Sequence, residues 1–598
     1  MGWNSTALKC VLKDSPISPK HLSPIDMLLR PFLTACAAAF ALLPAASAQT
    51  AERFNPADYF DVWVHGVDAA DIYAFTQLGL DIQGREGDEL FCYLSSSEID
   101  ELFRLGYQLG IAPKAGAGTQ AGYHTFPQLT TDLQSFVANY PSLAKLHNLG
   151  TSVQGRELWM IEISDNVGVE ENEPEFKYIS TMHGDEVVGM ELSMNLIDHL
   201  LTNYGVDPAI TSLVDETSIW IMPLMNPDGY VAHSRYNAQG YDLNREFPDR
   251  INDTVNTTAG RPIEVQHVMN FGFAHSPVIS ANFHGGALVV NYPYDSDSSP
   301  WAGYSATPDD GLMIASALTY AQLNTPMFQS PVFNQGIVNG VEWYSVYGGM
   351  QDWNYVWQGC NDVTIELSNT KWPSSGTLPG YWSDNKDSML AYLQLAQQGA
   401  RGLVTDAASG LPLAASVRVV GVDHSVYTDP DVGDYHRLTL PGTYDLEVSA
   451  PGHLTQVVSG VVVGSGNASV VDVALVANGG GGGATPDIKI NGQDGPLTVL
   501  AAGTTQITVG MAPGTEIGVS KDWWISVTNG SATFYWTLAG GWGAAAAPAY
   551  QGALFALPSF TVVSGNLPPG TWTFDFAVDA PDGVYQGTAL DSAQVTSN

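Results

Sequence analysis

Near-continuous apolar runs recur through the middle of the chain, at 176–181, 218–224, 278–283 and 363–367. Strands read this way when both of their faces are covered, so these runs predict the centre of one sheet. Segments 192–201 and 388–395 place their apolar residues at helical spacing instead. Over 123–398 the alternation predicts a three-layer α/β domain with a parallel or mixed sheet. Upstream, 52–113 reads as a small α+β domain, with strands at 59–64, 89–94 and 107–111 and helices at 69–78 and 97–105. An Ala- and Gly-rich stretch, 114–122, suits a linker. Downstream the pattern changes to short strands and turns. Segments 416–422, 443–449 and 470–476, separated by Pro441-Gly442 and Pro451-Gly452, predict a β-sandwich over 399–477. The glycine run at 479–483 marks a flexible linker over 478–485, and 486–598 reads as a second β-sandwich.

A chain of 598 residues exceeds one core, in keeping with this division. Its charge narrows the range of partners. Sixty-one acidic residues against 22 Lys and Arg give a formal charge of -39, a field that repels nucleic acid and anionic membranes. At the N-terminus, Arg30 precedes an apolar run at 31–43, and Ala46-Ser47-Ala48 fits a cleavage site. Residues 1–48 therefore predict an export signal, with Met27 the better start, and a secreted or periplasmic protein. The apolar run is too short to span a membrane. Cleavage there leaves Cys92 and Cys360 in the mature chain, too few for a thiolate zinc site and open to either a disulfide or two free thiols.

The chemistry-bearing residues sit at the ends of the apolar runs. His183-Gly184-Asp185-Glu186 follows 176–181, and His284 closes 278–283. Two imidazoles, a carboxylate and an open position make a catalytic zinc site. Each motif alone also suits an ordinary core or loop residue. Asp242-Leu243-Asn244-Arg245, with Arg235 upstream, offers a planar fork and a neutral donor for a peptide's terminal carboxylate, or else a solvated loop. Glu366 lies inside an apolar strand, where a carboxylate is costly unless paired or functional.

In order along the chain stand Tyr-His-Thr-Phe at 123–126, Gly155-Arg156, His-Gly-Asp-Glu at 183–186 and Asn-Pro-Asp-Gly-Tyr at 226–230. Then come Asp-Leu-Asn-Arg at 242–245, His-Gly-Gly at 284–286, Asn-Tyr-Pro-Tyr-Asp at 291–295, Gly-Gly-Met-Gln-Asp-Trp-Asn-Tyr at 348–355 and Glu366. Residues 123–398 thereby resemble the zinc metallocarboxypeptidase family, in its regulatory (carboxypeptidase N/E/D-like) subgroup. The run 399–477 resembles the transthyretin-like domain that follows the catalytic domain there. The resemblance implies one Zn2+ per chain, held by His183, Glu186 and His284, with Asp242 orienting a zinc histidine. It implies Glu366 as general base and Arg235 beside the scissile carbonyl. Asn244, Arg245 and Tyr344 would grip the substrate's terminal carboxylate. Asp295 and Gln351 would receive a C-terminal Lys or Arg side chain. One position departs from the family pattern: Glu246 follows Arg245, where Asn is usual.

The expected partners are peptide or protein C-termini. An inactive member acting as a peptide-binding or adhesion module, which loss of ligands or base would mark, is the main alternative; a carboxypeptidase for cell-wall peptides is another. The 52–113 domain lacks a basic cleavage pair behind it and reads as retained rather than as a removable pro-segment. Trp523, Trp524, Trp536, Trp542 and Trp572 would fill the C-terminal core if buried, and would suit surface or carbohydrate attachment if exposed.

Overall fold

The computed structural model describes residues 59–111, 122–298, 303–477 and 484–597, less 69, 70, 73, 76, 77, 79, 430, 494, 500–503, 531, 539, 540 and 588. The export signal, most of the 114–122 linker and the glycine run lie outside the described residues, as does part of the 69–78 helix.

The N-terminal module contains β1 (Tyr59–His65), β2 (Asp81–Glu86), β3 (Glu89–Ser95) and β4 (Gln108–Ile111), in sheet order β2-β3-β1-β4, with α1 (Ser96–Arg104) packed on it. Helix α1 is fixed at its start by a capping box between Ser95 and Glu98.

The large sheet holds eight strands: β5 (Ala144–Thr151), β6 (Glu157–Ile163), β7 (Glu175–Ser180), β8 (Ser218–Met222), β9 (Pro277–His284), β10 (Leu288–Tyr292), β11 (Ile337–Asn339) and β12 (Asn361–Leu367). Their order is β11-β10-β12-β9-β7-β8-β6-β5. The middle pairs β12/β9, β9/β7 and β7/β8 are parallel, while β10/β12, β6/β8 and β5/β6 are antiparallel, so the sheet is mixed. All residues of β7, β9 and β12 are buried, which explains their near-continuous apolar runs, interrupted by buried polar residues such as Lys177, Asn282 and Asp362.

Alternate residues of the strands enter two separate cores. Phe176, Tyr178, Ile219 and Ile221 pack with α2 (Val188–Asn203) and α3 (Leu378–Gln394). Ile179, Trp220 and Met222 pack on the opposite face with Val265, Val268 and Met269. Helices on both faces make the three layers.

One buried cation stabilises this sheet. The Lys177 side chain is fully buried and its Nζ donates to Asn354 Oδ1 at 3.0 Å, while Asn354 Nδ2 donates to Asp362 Oδ2 at 2.6 Å. Replacing Lys177 by methionine leaves Asp362 buried without its counter-charge. Breaking such an arrangement costs about 3 kcal/mol or more, so the denaturant midpoint is expected to fall by that equivalent with an unchanged slope. A drop of under about 1 kcal/mol would mean that Asp362 takes up a proton at little cost.

Residues after the α/β domain form two sheets, one containing Ala400–Asp406 and Asp434–Arg437, the other Ser416–Val419, Gly442–Ser449 and Gln456–Val463. Arg437 is buried and ties this sandwich to the α/β domain through Asp309, at 2.8 Å. Further along, a three-stranded and a seven-stranded sheet enclose another core. Trp523 is buried there, Trp536, Trp542 and Trp572 pack half-buried against it, and Trp524 is buried on the other face of its strand, beside Tyr535 and Tyr585. Cys92 and Cys360 are both buried free thiols.

Candidate metal centre

Three parallel neighbours bring the candidate ligands together at their carboxyl ends. Ser180 of β7 pairs in register with Phe283 of β9, and Glu366 of β12 pairs with His284. A site at this end of an α/β sheet follows from the topology. Beyond β7 the chain turns sharply through Thr181, at φ 54°, into His183. Gly184 has no room for a side chain: a Cβ there would lie 2.1 Å from the Gly229 carbonyl carbon. Asn226 holds the same turn, with Nδ2 donating at 3.2 Å to both the Met182 and Arg235 carbonyls.

His183, Glu186 and His284 are each only 3% exposed and form a near-equilateral set of donor atoms. His183 Nδ1 lies 2.9 Å from Glu186 Oε2, His284 Nδ1 lies 3.0 Å from the same oxygen, and the two Nδ1 atoms are 3.0 Å apart. Each imidazole faces an acceptor through its other nitrogen. His183 Nε2 donates to Asp242 Oδ1 at 3.0 Å, and His284 Nε2 donates to Asn282 Oδ1 at 2.8 Å. The Asn282 orientation is fixed independently, because its Nδ2 donates to the Val363 carbonyl. Both Nε2 atoms therefore carry the protons and both Nδ1 atoms present lone pairs. Two lone pairs and a carboxylate oxygen converge on one point, which a cation satisfies. A tetrahedral ion with ligands at about 2.0 Å separates them by about 3.3 Å, close to the triangle found. The donor set fits zinc, and the orienting carboxylate behind His183 matches the usual support of a metal histidine.

Cationic side chains surround this triangle. Arg235, 5% exposed, donates from Nη1 to Glu186 Oε1 at 3.2 Å and from Nε to Asp242 Oδ2 at 2.9 Å. Lys371 Nζ lies 3.3 Å from Glu186 Oε1. Burial opposes the charge on Glu186, but His183 and Lys371 outweigh it and hold its pKa well below the ordinary range. Burial, then the Glu186 charge, pushes Glu366 well above the usual carboxylate range, and Glu366 Oε2 is buried with no partner.

The remaining candidates gather on one side. Asn244 is anchored by its N–H to Asp242 Oδ1 at 2.9 Å and accepts from the Met350 N–H at 2.9 Å, leaving its Nδ2 as donor. The charges of Arg245, Glu366, Arg235 and Asp295 all act on the Tyr344 hydroxyl. Asp295 and Gln351 are 2% and 1% exposed; Asn291 Nδ2 donates to Asp295 Oδ1 at 3.1 Å, and Gln351 Oε1 has no partner. Glu246 is half-buried, and burial followed by the Asp242 charge pushes it up to about 7.

Sequence reasoning missed two groups. Lys371 lies in a short loop after β12, where no local pattern marks a half-buried lysine turned toward the centre. The other is strand β2 of the N-terminal module, which lies against the centre. The Ile82 carbonyl accepts from Arg245 Nη2 at 3.1 Å, Gln83 Oε1 accepts from Lys371 Nζ at 2.7 Å, and Asp81 Oδ1 lies 3.8 Å from Arg235 Nε. Asp81 also accepts from the Tyr236 hydroxyl, and the Arg85 carbonyl accepts from Trp343 Nε1 at 2.9 Å. Tyr344 and Trp343 are packed into the module's own core.

The α/β sheet carries at its carboxyl edge a buried His–Glu–His set whose donor atoms could hold one metal ion. Residues 129–388 match the zinc carboxypeptidase family profile, and 399–476 match a carboxypeptidase regulatory-like domain. Carboxypeptidase D of Homo sapiens is 44% identical over 374 residues, covering 59% of this chain and 27% of that protein. Carboxypeptidase M of Mus musculus is 40% identical over 370 residues, 58% of this chain and 82% of that protein. The Mus musculus carboxypeptidase N catalytic chain is 36% identical over 394 residues, 59% of this chain and 86% of that protein. The chain spans about a quarter of the length of the carboxypeptidase D relatives, at 25–27%. It belongs to the zinc carboxypeptidase family.

Proposed function

We propose that this chain is an exported zinc carboxypeptidase that removes Lys or Arg from peptide C-termini, using one zinc ion. The observation that carries this is the convergence of two imidazole lone pairs and a carboxylate oxygen beside a second, partnerless acid. His183, Glu186 and His284 would hold the ion, with Asp242 fixing the His183 tautomer. Bound zinc supplies Lewis acidity, which polarises a carbonyl and makes water more acidic. Glu366 accepts the proton of the attacking water and delivers it to the leaving amine. Arg235 faces the negative charge that develops on the carbonyl oxygen, a contribution of about 3–4 kcal/mol for a well-placed donor. Arg245, Asn244 and Tyr344 hold the terminal carboxylate, which restricts cleavage to the last bond. Export rests on the N-terminal segment. Among the described residues no helix is long and apolar enough to cross a membrane.

Specificity rests on Asp295. Burial, then the Asp352 charge, holds its carboxyl well above the ordinary range, and neither the Asn291 bond nor the Arg245 charge offsets them. A substrate guanidinium or ammonium supplies a counter-charge. A charge-assisted hydrogen bond contributes about 1.5–3 kcal/mol. Asp295→Asn is therefore expected to lower kcat/KM for an Arg-ending peptide about 30-fold and to spare a Phe-ending one. Equal losses on both peptides would remove the specificity reading.

The proposal as a whole is tested by zinc analysis and by release of Arg against Phe. Both are measured with and without chelator, on the chain intact and after cleavage within 112–121. Bound zinc at about one per chain, with chelator-sensitive Arg release, is expected. Bound zinc without release in either form would favour a peptide-binding member of the family.

A further inference from the structure

Two short helical stretches, Met350–Trp353 and Asn354–Gln358, lead from Gln351 toward the sandwich that follows the α/β domain. Their first turn carries Asp352, which is buried and holds the loop that bears Asp295. Asp352 Oδ1 accepts from the Asp295 N–H at 2.9 Å. Its Oδ2 accepts from the Ser296 N–H at 3.2 Å and from Ser296 Oγ at 2.9 Å. The far end of the stretch presses on the sandwich. Gly359 there adopts φ 68°, and a Cβ would lie 2.5 Å from the Ser425 carbonyl oxygen, so glycine alone lets the two backbones approach.

Tyr355 stands in this stretch, buried, with its hydroxyl donating to Asp309 Oδ1. The other oxygen of Asp309 is held from the sandwich. Arg437 Nη2 donates to Oδ2 at 2.8 Å, and His424 Nδ1 lies 3.3 Å from the same atom. The His424 ring also stacks on the Tyr355 ring, with centroids 4.0 Å apart and planes 13° from parallel. Tyr355 in turn meets Tyr294 edge to face at 5.5 Å, and Tyr294 is the residue before Asp295. The Arg250 guanidinium lies 3.8 Å from the Tyr294 ring centroid. Two routes therefore join the sandwich to Asp295, one through the aromatic rings and one through Asp352.

Arg437 and His424 are buried, so these contacts are shielded from water. A buried ion pair adds little net stability over an apolar pair of the same shape, and its use lies in fixing one geometry. The pocket needs such geometry. A charge-assisted hydrogen bond from a cation to a carboxylate holds at about 2.7–2.9 Å, and a misplacement of about 1 Å costs about a hundredfold in rate. We propose, on the reading that Asp295 receives the substrate's cationic side chain, that Arg437 and His424 of the sandwich are positioning residues for that pocket. They act through Asp309 and Tyr355 on the loop carrying Asp295 and the turn carrying Gln351.

The test is a double-mutant cycle on the full, zinc-loaded chain, with release of Arg and of Phe measured from otherwise identical peptides. Tyr355→Phe keeps the ring contacts and deletes only the hydroxyl bonded to Asp309. It is expected to raise KM for the Arg-ending peptide about tenfold, with kcat, zinc content and Phe release within about twofold of wild type. In the Asp295→Asn background the same substitution is expected to change Arg release by less than about twofold, because its effect passes through Asp295. Arg437→Lys is expected to act as Tyr355→Phe does. So is His424→Gln, which leaves Arg437 in place and decides the sandwich's part if Arg437→Lys does not fold. A wild-type enzyme without preference for Arg overturns the pocket and the link together. A preference that Asp295→Asn abolishes, but that survives unchanged in Tyr355→Phe or in a folded sandwich variant, overturns the link alone. Equal losses on both peptides, or an undiminished loss in the Asp295→Asn background, overturn it as well.

Discussion

Glu366→Gln is expected to lower kcat by about 10³–10⁴ while zinc content stays that of the wild type, in the upper part of the range for loss of a general acid–base group. Both oxygens of Glu186 are engaged: Oε2 accepts from the Gly285 N–H at 3.2 Å and closes the triangle with the two imidazole lone pairs, and Oε1 faces Arg235 and Lys371. Both oxygens of Asp242 are engaged, by His183 and Arg235. Glu366 alone of the three keeps a partnerless oxygen, and its register against His284 sets it beside the triangle. Glutamine preserves shape and volume but cannot accept and return a proton. Activity within tenfold of wild type would move the base elsewhere. Lost zinc would make Glu366 a ligand, and the reading of the triangle would then need revision.

Much of this was legible because the centre sits where burial is most complete. Strands β7, β9 and β12 announce themselves as near-continuous apolar runs, and His183, His284 and Glu366 stand at or near their ends. Other motifs proved to carry structure around the site. Asp228 accepts from Arg156 Nη1 at 2.5 Å and from Ser152 Oγ at 2.8 Å, which explains why Gly155-Arg156 and Asn-Pro-Asp-Gly-Tyr occur together.

The antiparallel margin was harder to read. Strand β5, Ala-Lys-Leu-His-Asn-Leu-Gly-Thr, is mostly half-exposed and has no unbroken apolar run. Strand β2, Asp-Ile-Gln-Gly-Arg-Glu, carries one large apolar residue and a register shift near Gly84. Its conformation is settled by pairing with β3 and by partners more than 150 residues away, such as Arg235 and Lys371. Distant polar partners leave no periodicity in the local sequence, so neither the strand nor the role of Lys371 could be inferred from it.

That strand leads to the second large effect: Asp81→Ala with Gln83→Ala is expected to raise kcat/KM about 100-fold, mainly through KM. In the folded chain the atoms that would grip a substrate are engaged by the N-terminal module. The Ile82 carbonyl sits on the Arg245 fork, Gln83 on Lys371, and Asp81 beside Arg235. The Tyr344 hydroxyl lies 3.5 Å from the Gln83 carbonyl, and its ring is 8% exposed. A substrate's terminal residue and this strand therefore compete for the same groups. When the competent form is a small fraction of the population, apparent affinity falls by that fraction. Two charged contacts at about 1.5 kcal/mol each account for roughly a hundredfold shift toward the open form. The Arg245, Asn244 and Glu366 side chains are untouched by the double substitution, so kcat at saturation is expected to hold. A gain read in KM supports a module that keeps the enzyme latent. A loss of activity would instead make Asp81 and Gln83 part of the working pocket, and no change would mean that substrate reaches the centre by a path the strand does not cross.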